Sequence, residues 1–175
     1  IVIAGLAALL LPLSLHAQVT FERTYGGAGY DDGGSVRQAS DGGFVVVGST
    51  ESFGAGGRDA YLVRTDAHGD TLWTRTYGGT GLDVAGSVQQ TADLGFIIVG
   101  CTQSFGAGGS DVYLIKTDAY GDTLWTRTIG TPDNEDGYEV QQTADSGYVI
   151  GGTTCSSVVG DWEHVYLIRT DAEGD

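Results

Sequence analysis

The chain has 175 residues, 41% hydrophobic and 10% aromatic, with 30 glycines against two prolines and no collagen-like triplet, a composition that supports a packed core and excludes wholesale disorder. Eight Lys and Arg stand against 23 Asp and Glu, a formal charge of -15 that repels phosphate backbones and anionic membrane surfaces, so nucleic acid is set aside as a partner. The acidity reads as solubility of an exported protein rather than as a specific cation site. Taken from the start, Ile1 to Leu15 form an apolar run broken by Pro12, too short for a membrane span, and lead into Leu15-His16-Ala17-Gln18. Residues 1–17 are read as a signal peptide cut after Ala17 and truncated upstream, because an initiating Met and a basic region are missing. A buried strand or helix is the competing reading. No cysteine follows the cleavage point, which argues against a lipid anchor, and no later segment is apolar enough to span a bilayer.

Residues 18–175 are governed by a repeat. Thr24-Tyr25-Gly26-Gly27 returns 52 residues later as Thr76-Tyr77-Gly78-Gly79, and then, weakened, as Thr128-Ile129-Gly130-Thr131. The same shift relates Val36, Val88 and Val140, and likewise Phe44, Phe96 and Tyr148. The units run over about 24–75, 76–127 and 128–175, the last one incomplete. The third gains one residue between Cys155 and His164, after which Tyr61 and Tyr113 correspond to Tyr166.

In the second unit the spacing predicts four strands. Residues 85–91, with little apolar surface, suit a strand facing solvent or a wet channel, and Ala92-Asp93-Leu94-Gly95 turns the chain. Phe96-Ile97-Ile98-Val99 is a β-branched apolar run expected to be buried on both faces. A glycine-rich loop leads to Val112-Tyr113-Leu114-Ile115-Lys116, and Asp118-Ala119-Tyr120-Gly121-Asp122 makes a hairpin into Thr123-Leu124-Trp125-Thr126-Arg127-Thr128. Trp125 is expected to lie against a neighbouring sheet, as are Trp73 and Phe21 in the earlier copies. Four strands per unit predict an all-β, β-propeller-like array of four-stranded blades forming an incomplete ring, with a β-solenoid as the other open architecture. Residues 19–25 match a fourth strand, so the first mature strand is expected to close a ring whose further blades lie beyond Asp175.

Tyr77-Gly78-Gly79 with Asp83, then Gly95-Phe96-Ile97-Ile98-Val99-Gly100 and Thr102-Gln103-Ser104-Phe105-Gly106, resemble SBBP-type and related bacterial β-propeller repeats over Phe21 to Asp175. The resemblance implies a secreted or surface-displayed protein, often one carrying a C-terminal sorting or adhesion module, and implies no reaction. The third unit departs from the pattern at Thr131, at Glu135 and over Cys155-Ser156-Ser157-Val158-Val159.

No catalytic, cofactor-binding or metal-ligating residue is assigned. His68 falls in a hairpin turn where the other copies have Tyr120 and Glu173, and His164 falls in the inserted loop without a supporting motif. Cys101 and Cys155 are offset by two repeat positions and read as two buried thiols rather than a disulfide or a zinc site. Asp66 with Asp70, and Asp118 with Asp122, have spacings that calcium could use but read better as hairpin caps. The loops Gly54-Ala55-Gly56-Gly57 and Gly106-Ala107-Gly108-Gly109 lack the lysine and helix of a phosphate loop. Phe53, Phe105 and Tyr30 either stack on a partner or pin loops. The expected function is a non-enzymatic extracellular or cell-surface scaffold for an unknown protein or glycan. The alternative is the non-catalytic propeller part of a larger secreted hydrolase or polysaccharide-processing enzyme.

Overall fold

The computed structural model describes residues 20–155 and 162–175. The leader expected over residues 1–17 lies outside them, as does most of the inserted loop. The described residues are all-β, and among them no helix is long and apolar enough to cross a membrane.

Among the described residues eleven strands build three antiparallel sheets, each connected in simple order. The first holds β1 (Asp31–Gln38), β2 (Phe44–Thr50), β3 (Asp59–Thr65) and β4 (Thr71–Tyr77). The second holds β5 (Asp83–Gln90), β6 (Phe96–Thr102), β7 (Asp111–Thr117) and β8 (Thr123–Ile129). The third has three strands, β9 (Glu135–Gln142), β10 (Tyr148–Cys155) and β11 (Glu163–Thr170). The strands outrun the apolar runs that announced them. β6 and β7 extend to the Thr102↔Asp111 pair because both residues are fully buried and bonded, whereas a reading by hydropathy stops at the last apolar residue.

The hairpins are set by turn chemistry. Asp66, Asp118 and Asp171 each accept backbone N–H bonds two and four residues on, at 2.8–3.0 Å, through one carboxylate oxygen. Gly69, Gly121 and Gly174 take the positive φ that each turn needs, near +80°. A Cβ at Gly121 would lie 2.7 Å from Trp73, so the glycine also admits the aromatic of the preceding sheet.

Each sheet packs on the next through the same positions. Val45, Val47, Ala60 and Leu62 of the first sheet meet Val88, Phe96, Ile98 and Ile115 of the second in one core. Their repeat counterparts Ile97, Val99, Val112 and Leu114 meet Val140, Tyr148 and Ile150 of the third in another. Alternate side chains of β6 thus serve different cores, which is why Phe96 to Val99 are all buried. Trp73 stands edge-on to Phe96, with centroids 6.0 Å apart, and Trp125 repeats this against Tyr148 at 5.8 Å. The expected placement of both tryptophans against the neighbouring sheet holds.

Segment 20–27 is not a strand, contrary to the expectation of a fourth strand over 19–25. It nevertheless occupies that place on the first sheet: Phe21 packs on Phe44 at 5.8 Å, and Tyr25 donates to the Gly69 carbonyl at 2.8 Å as Tyr77 does to Gly121. No described strand pairs with its edge, so the ladder that would make it a strand is missing.

Candidate functional site

The buried acids of the repeat are occupied by loop bonds. Asp83 is fully buried and accepts from the Gly79 N–H at 2.8 Å, from Ser104 Oγ at 2.6 Å and from Thr102 Oγ1. Asp31 makes the matching set with Gly27, Ser52 and Thr50. Glu135 keeps the tie in the third unit: it accepts from the Thr131 N–H at 2.7 Å and from the Thr131 and Thr154 hydroxyls at 2.9 Å. Thr131 supplies from the glycine position the hydroxyl that Ser104 supplies in the second unit, so the two departures from the repeat compensate each other.

These bonds carry a pH signature. The Thr50 hydroxyl and Gly27 amide hold the Asp31 carboxyl below its ordinary 3.8, the Gly43 amide and Arg64 do so for Asp41, and the Asp70 and His68 amides for Asp66. Burial pushes Asp59 the other way, reinforced by the Asp83 carboxylate. For the depressed group the unfolded chain binds more protons just below 3.8, so their stabilisation is complete above that pH and is lost as pH falls through the native values. Asp59 opposes this, losing stabilisation as pH rises from 3.8 through its own higher value. Asp93 and Asp145 are lowered as well, so with five depressed carboxyls against one raised, thermal denaturation followed from pH 7 to 2 is expected to show a melting temperature that falls once the pH drops below about 4. A melting temperature that rises steadily to pH 2 would contradict these assignments.

The residues singled out as chemically suggestive are dispersed. His68 is exposed in its turn. His164 is also exposed but lies within β11, paired across the ladder with Thr154, not in a loop as expected. The ladder extends past the last repeat landmark, which is why alignment alone misplaced it. Cys101 and Cys155 are free and half-buried, not fully buried as expected. Burial, with Asp136 opposite, pushes the Cys101 thiol up to about 11, which leaves it protonated and weakly nucleophilic at neutral pH. Asp70 and Asp122, the partners of the supposed calcium pairs, instead bond Arg23 of segment 20–27 at 3.3 Å and Arg75 of β4 at 3.1 Å. Among the described residues no group of three or more His, Cys, Asp or Glu could hold a metal ion. Phe53 packs on Tyr61 and Phe105 on Tyr113, both at 5.8 Å, while Arg58 covers Tyr30 at 4.6 Å, so these aromatics pin their own loops.

A different place draws residues from all three sheets. The first strands of the three sheets, β1, β5 and β9, lie side by side because the bulges of β1 and β5 carry glycine: a Cβ on Gly34 would stand 2.8 Å from the Ala85 carbonyl oxygen, and one on Gly86 3.2 Å from that of Gly137. Where these strands end, a cleft of about 560 Å³ is lined by Arg37, Gln38, Ser40, Gln90, Glu139 and Gln141, among others. Its walls are held by amide bonds between sheets. Gln90 Oε1 accepts from the Ser40 N–H at 2.8 Å and Gln142 Oε1 from the Ala92 N–H at 3.0 Å, one repeat apart. Across the cleft, Arg37 Nη2 bonds Glu139 Oε1 at 2.7 Å, joining the first sheet to the third.

This ion pair was not found by sequence reasoning, although a signal for it exists. Arg37 stands where the repeat has Gln89 and Gln141, and Glu139 stands where it has Ser35 and Ser87. Two breaks of the pattern, 102 residues apart, meet in space. No protein-family model matches the chain, and no curated protein matches it in sequence.

Proposed function

We propose that the chain is a non-enzymatic repeat scaffold, a β-propeller segment of the SBBP-like kind, exported to the cell surface or beyond, which presents its hub cleft to a glycan. The observation that carries this reading is the cleft where β1, β5 and β9 converge, because the only charged side chains that break the repeat there meet each other across it. The propeller reading is supported by sheet-to-sheet contacts that recur with the repeat and bring successive inner strands together. Export is supported by the leader-like residues 1–17 and the strong negative charge.

The chemistry of the cleft favours a neutral, hydroxyl-rich ligand. Glutamine amides, the Ser40 hydroxyl and a mutually neutralising Arg37–Glu139 pair offer donors and acceptors in fixed planes, whereas a chain of formal charge -15 repels anions. The test is calorimetric titration with a panel of neutral oligosaccharides, comparing the native chain with Arg37→Gln/Glu139→Ser, which restores the repeat residues. Binding that weakens about tenfold or more in the double variant, with an unchanged melting temperature, is the expected result. Binding indifferent to both substitutions, or absent for every sugar, would contradict the glycan reading.

A further inference from the structure

Two buried acids meet where the first sheet joins the second. Asp59 opens β3 and Asp83 opens β5, and neither is more than 1% exposed. The backbone of Gly78 runs between them: a Cβ built there would stand 2.2 Å from Asp59 Oδ1 and 2.5 Å from Asp83 Oδ2, so only glycine lets the two carboxyls face each other. The junction of the second sheet with the third repeats the arrangement, with Asp111 Oδ1 at 2.2 Å and Glu135 Oε2 at 2.6 Å from the same point on Gly130. Both pairs lie between sheets that this chain itself supplies.

The surroundings offer the Asp59–Asp83 pair no positive charge. Among the described residues neither acid has an ion pair, and Arg58, next to Asp59 in sequence, turns instead to Asp32 and Glu51 at 3.5 Å and covers Tyr30. The titratable groups around the pair are themselves acidic or neutral. Asp31 of β1 bonds the Thr50 hydroxyl, and Thr50 of β2 is paired with Asp59 across the ladder. Cys101 of β6 and Tyr113 of β7 both feel the Asp83 carboxylate, while Tyr77 of β4 sends its hydroxyl away to the Gly121 carbonyl. Two enclosed carboxylates without a cation repel strongly, which favours keeping one proton between them. Burial and the Asp83 carboxylate accordingly hold the Asp59 carboxyl above its ordinary 3.8.

We propose that Asp59 and Asp83 share one proton and act as a pH-operated clasp on the loops of this junction. With the proton in place, the neutral acid donates to the charged one beside Gly78; once the proton passes to water, two carboxylates repel inside the junction. Asp59 holds the 54–57 loop through the Ala55 N–H at 3.0 Å. Asp83 holds the facing loop through the Gly79 N–H and through Ser104, which accepts from the Gly81 N–H. These loops touch: a Cβ on Gly56 would stand 2.6 Å from the Thr80 Cα, and one on Gly57 2.8 Å from the Gly81 carbonyl oxygen. The cleft of about 600 Å³ that they border, lined by Glu51, Arg58 and Leu82 among others, is therefore clasped in acid and released as pH rises from 3.8 through the higher Asp59 value. The clasp does not depend on what the hub cleft binds.

Carbon-13 NMR of the side-chain carboxyls from about pH 3 to 8 tests this on the native chain and on Asp59→Asn, with the exchange protection of the Ala55 and Gly79 amides read on the same samples. In the native chain the Asp59 and Asp83 carboxyls should shift together over one range above 3.8, while Asp31 titrates below it. Across that range the protection of Ala55 and Gly79 should fall about fivefold or more. Asp59→Asn keeps an acceptor for the Ala55 N–H and offers Asp83 an N–H at every pH, so its protection should stay level. Its melting temperature should exceed the native value at pH 7, with the gap narrowing as the pH falls toward 3.8. An Asp59 that titrates at or below 3.8, an Asp83 signal blind to it, or a pH-dependent loss of protection that persists in Asp59→Asn would overturn the proposal. If the variant does not fold, the native carboxyl titration decides by itself.

Discussion

Leu114→Ala is expected to destabilise the protein by about 2–5 kcal/mol, whereas Leu167→Ala at the same repeat position should change stability by less than about 0.5 kcal/mol in the monomer. Leu114 has no exposed surface and lies among Val99, Val112, Val140 and Ile150, so truncation removes apolar contacts and leaves a cavity between two sheets that cannot close over it. Leu167 is 73% exposed and leaves no cavity. The two substitutions are chemically identical and sit on the same strand of successive units, so propensity and hydropathy cancel and only sheet-to-sheet packing remains. Urea denaturation of both variants at a concentration where the chain is monomeric measures the difference. Equal costs would mean that the second and third sheets do not pack as described.

Asp83→Ala is expected to cost about 3–5 kcal/mol. The carboxylate is fully buried and is shared by the Gly79 N–H, the Thr102 hydroxyl and the Ser104 hydroxyl, and the Asp83 N–H itself donates to the Arg58 carbonyl of the first sheet at 2.6 Å. Removing the side chain strands three donors at once, where a single unsatisfied group costs about 1–3 kcal/mol. Ser104→Ala, which leaves the carboxylate two other donors but also removes the acceptor of the Gly81 N–H at 2.9 Å, should cost about 1–2 kcal/mol. Chemical denaturation of the pair separates a shared acceptor from an ordinary polar contact. A loss under about 1 kcal/mol for Asp83→Ala would show that the loops rehydrate freely and that the acid tie is dispensable.

The all-β strand order and the hairpins were largely legible because repetition made each inference three times. Strand positions, the Asp118 to Asp122 hairpin and the burial of Phe96 to Val99 all follow from period and turn chemistry, which are local. The tryptophan contact was legible too, since a lone aromatic on a polar strand has little use except against a neighbour. What escaped depends on how one sheet lies on the next. The alternation of β1 and β9 says which side chains leave the strand, but nothing local says that Arg37 and Glu139 reach each other across β5. Lys116, 4% exposed, reads likewise as the polar end of a strand until the β5–β6 turn of its own sheet brings Asp93 to it at 2.8 Å. Sequence shows the departures from the repeat, and stacking decides which of them meet.

The stacking itself is tested most directly by native-state hydrogen exchange, resolved by residue and read against the three sheets. If each sheet packs only through the repeated interface, the second sheet is covered on both faces, and the amides of Ile97, Val99 and Leu114 should be the most protected. Protection should be lower in the first sheet and lowest along β11, which among the described residues has one strand neighbour and an exposed face. Uniform protection across the three sheets, or a second sheet that exchanges faster than its neighbours, would contradict the account.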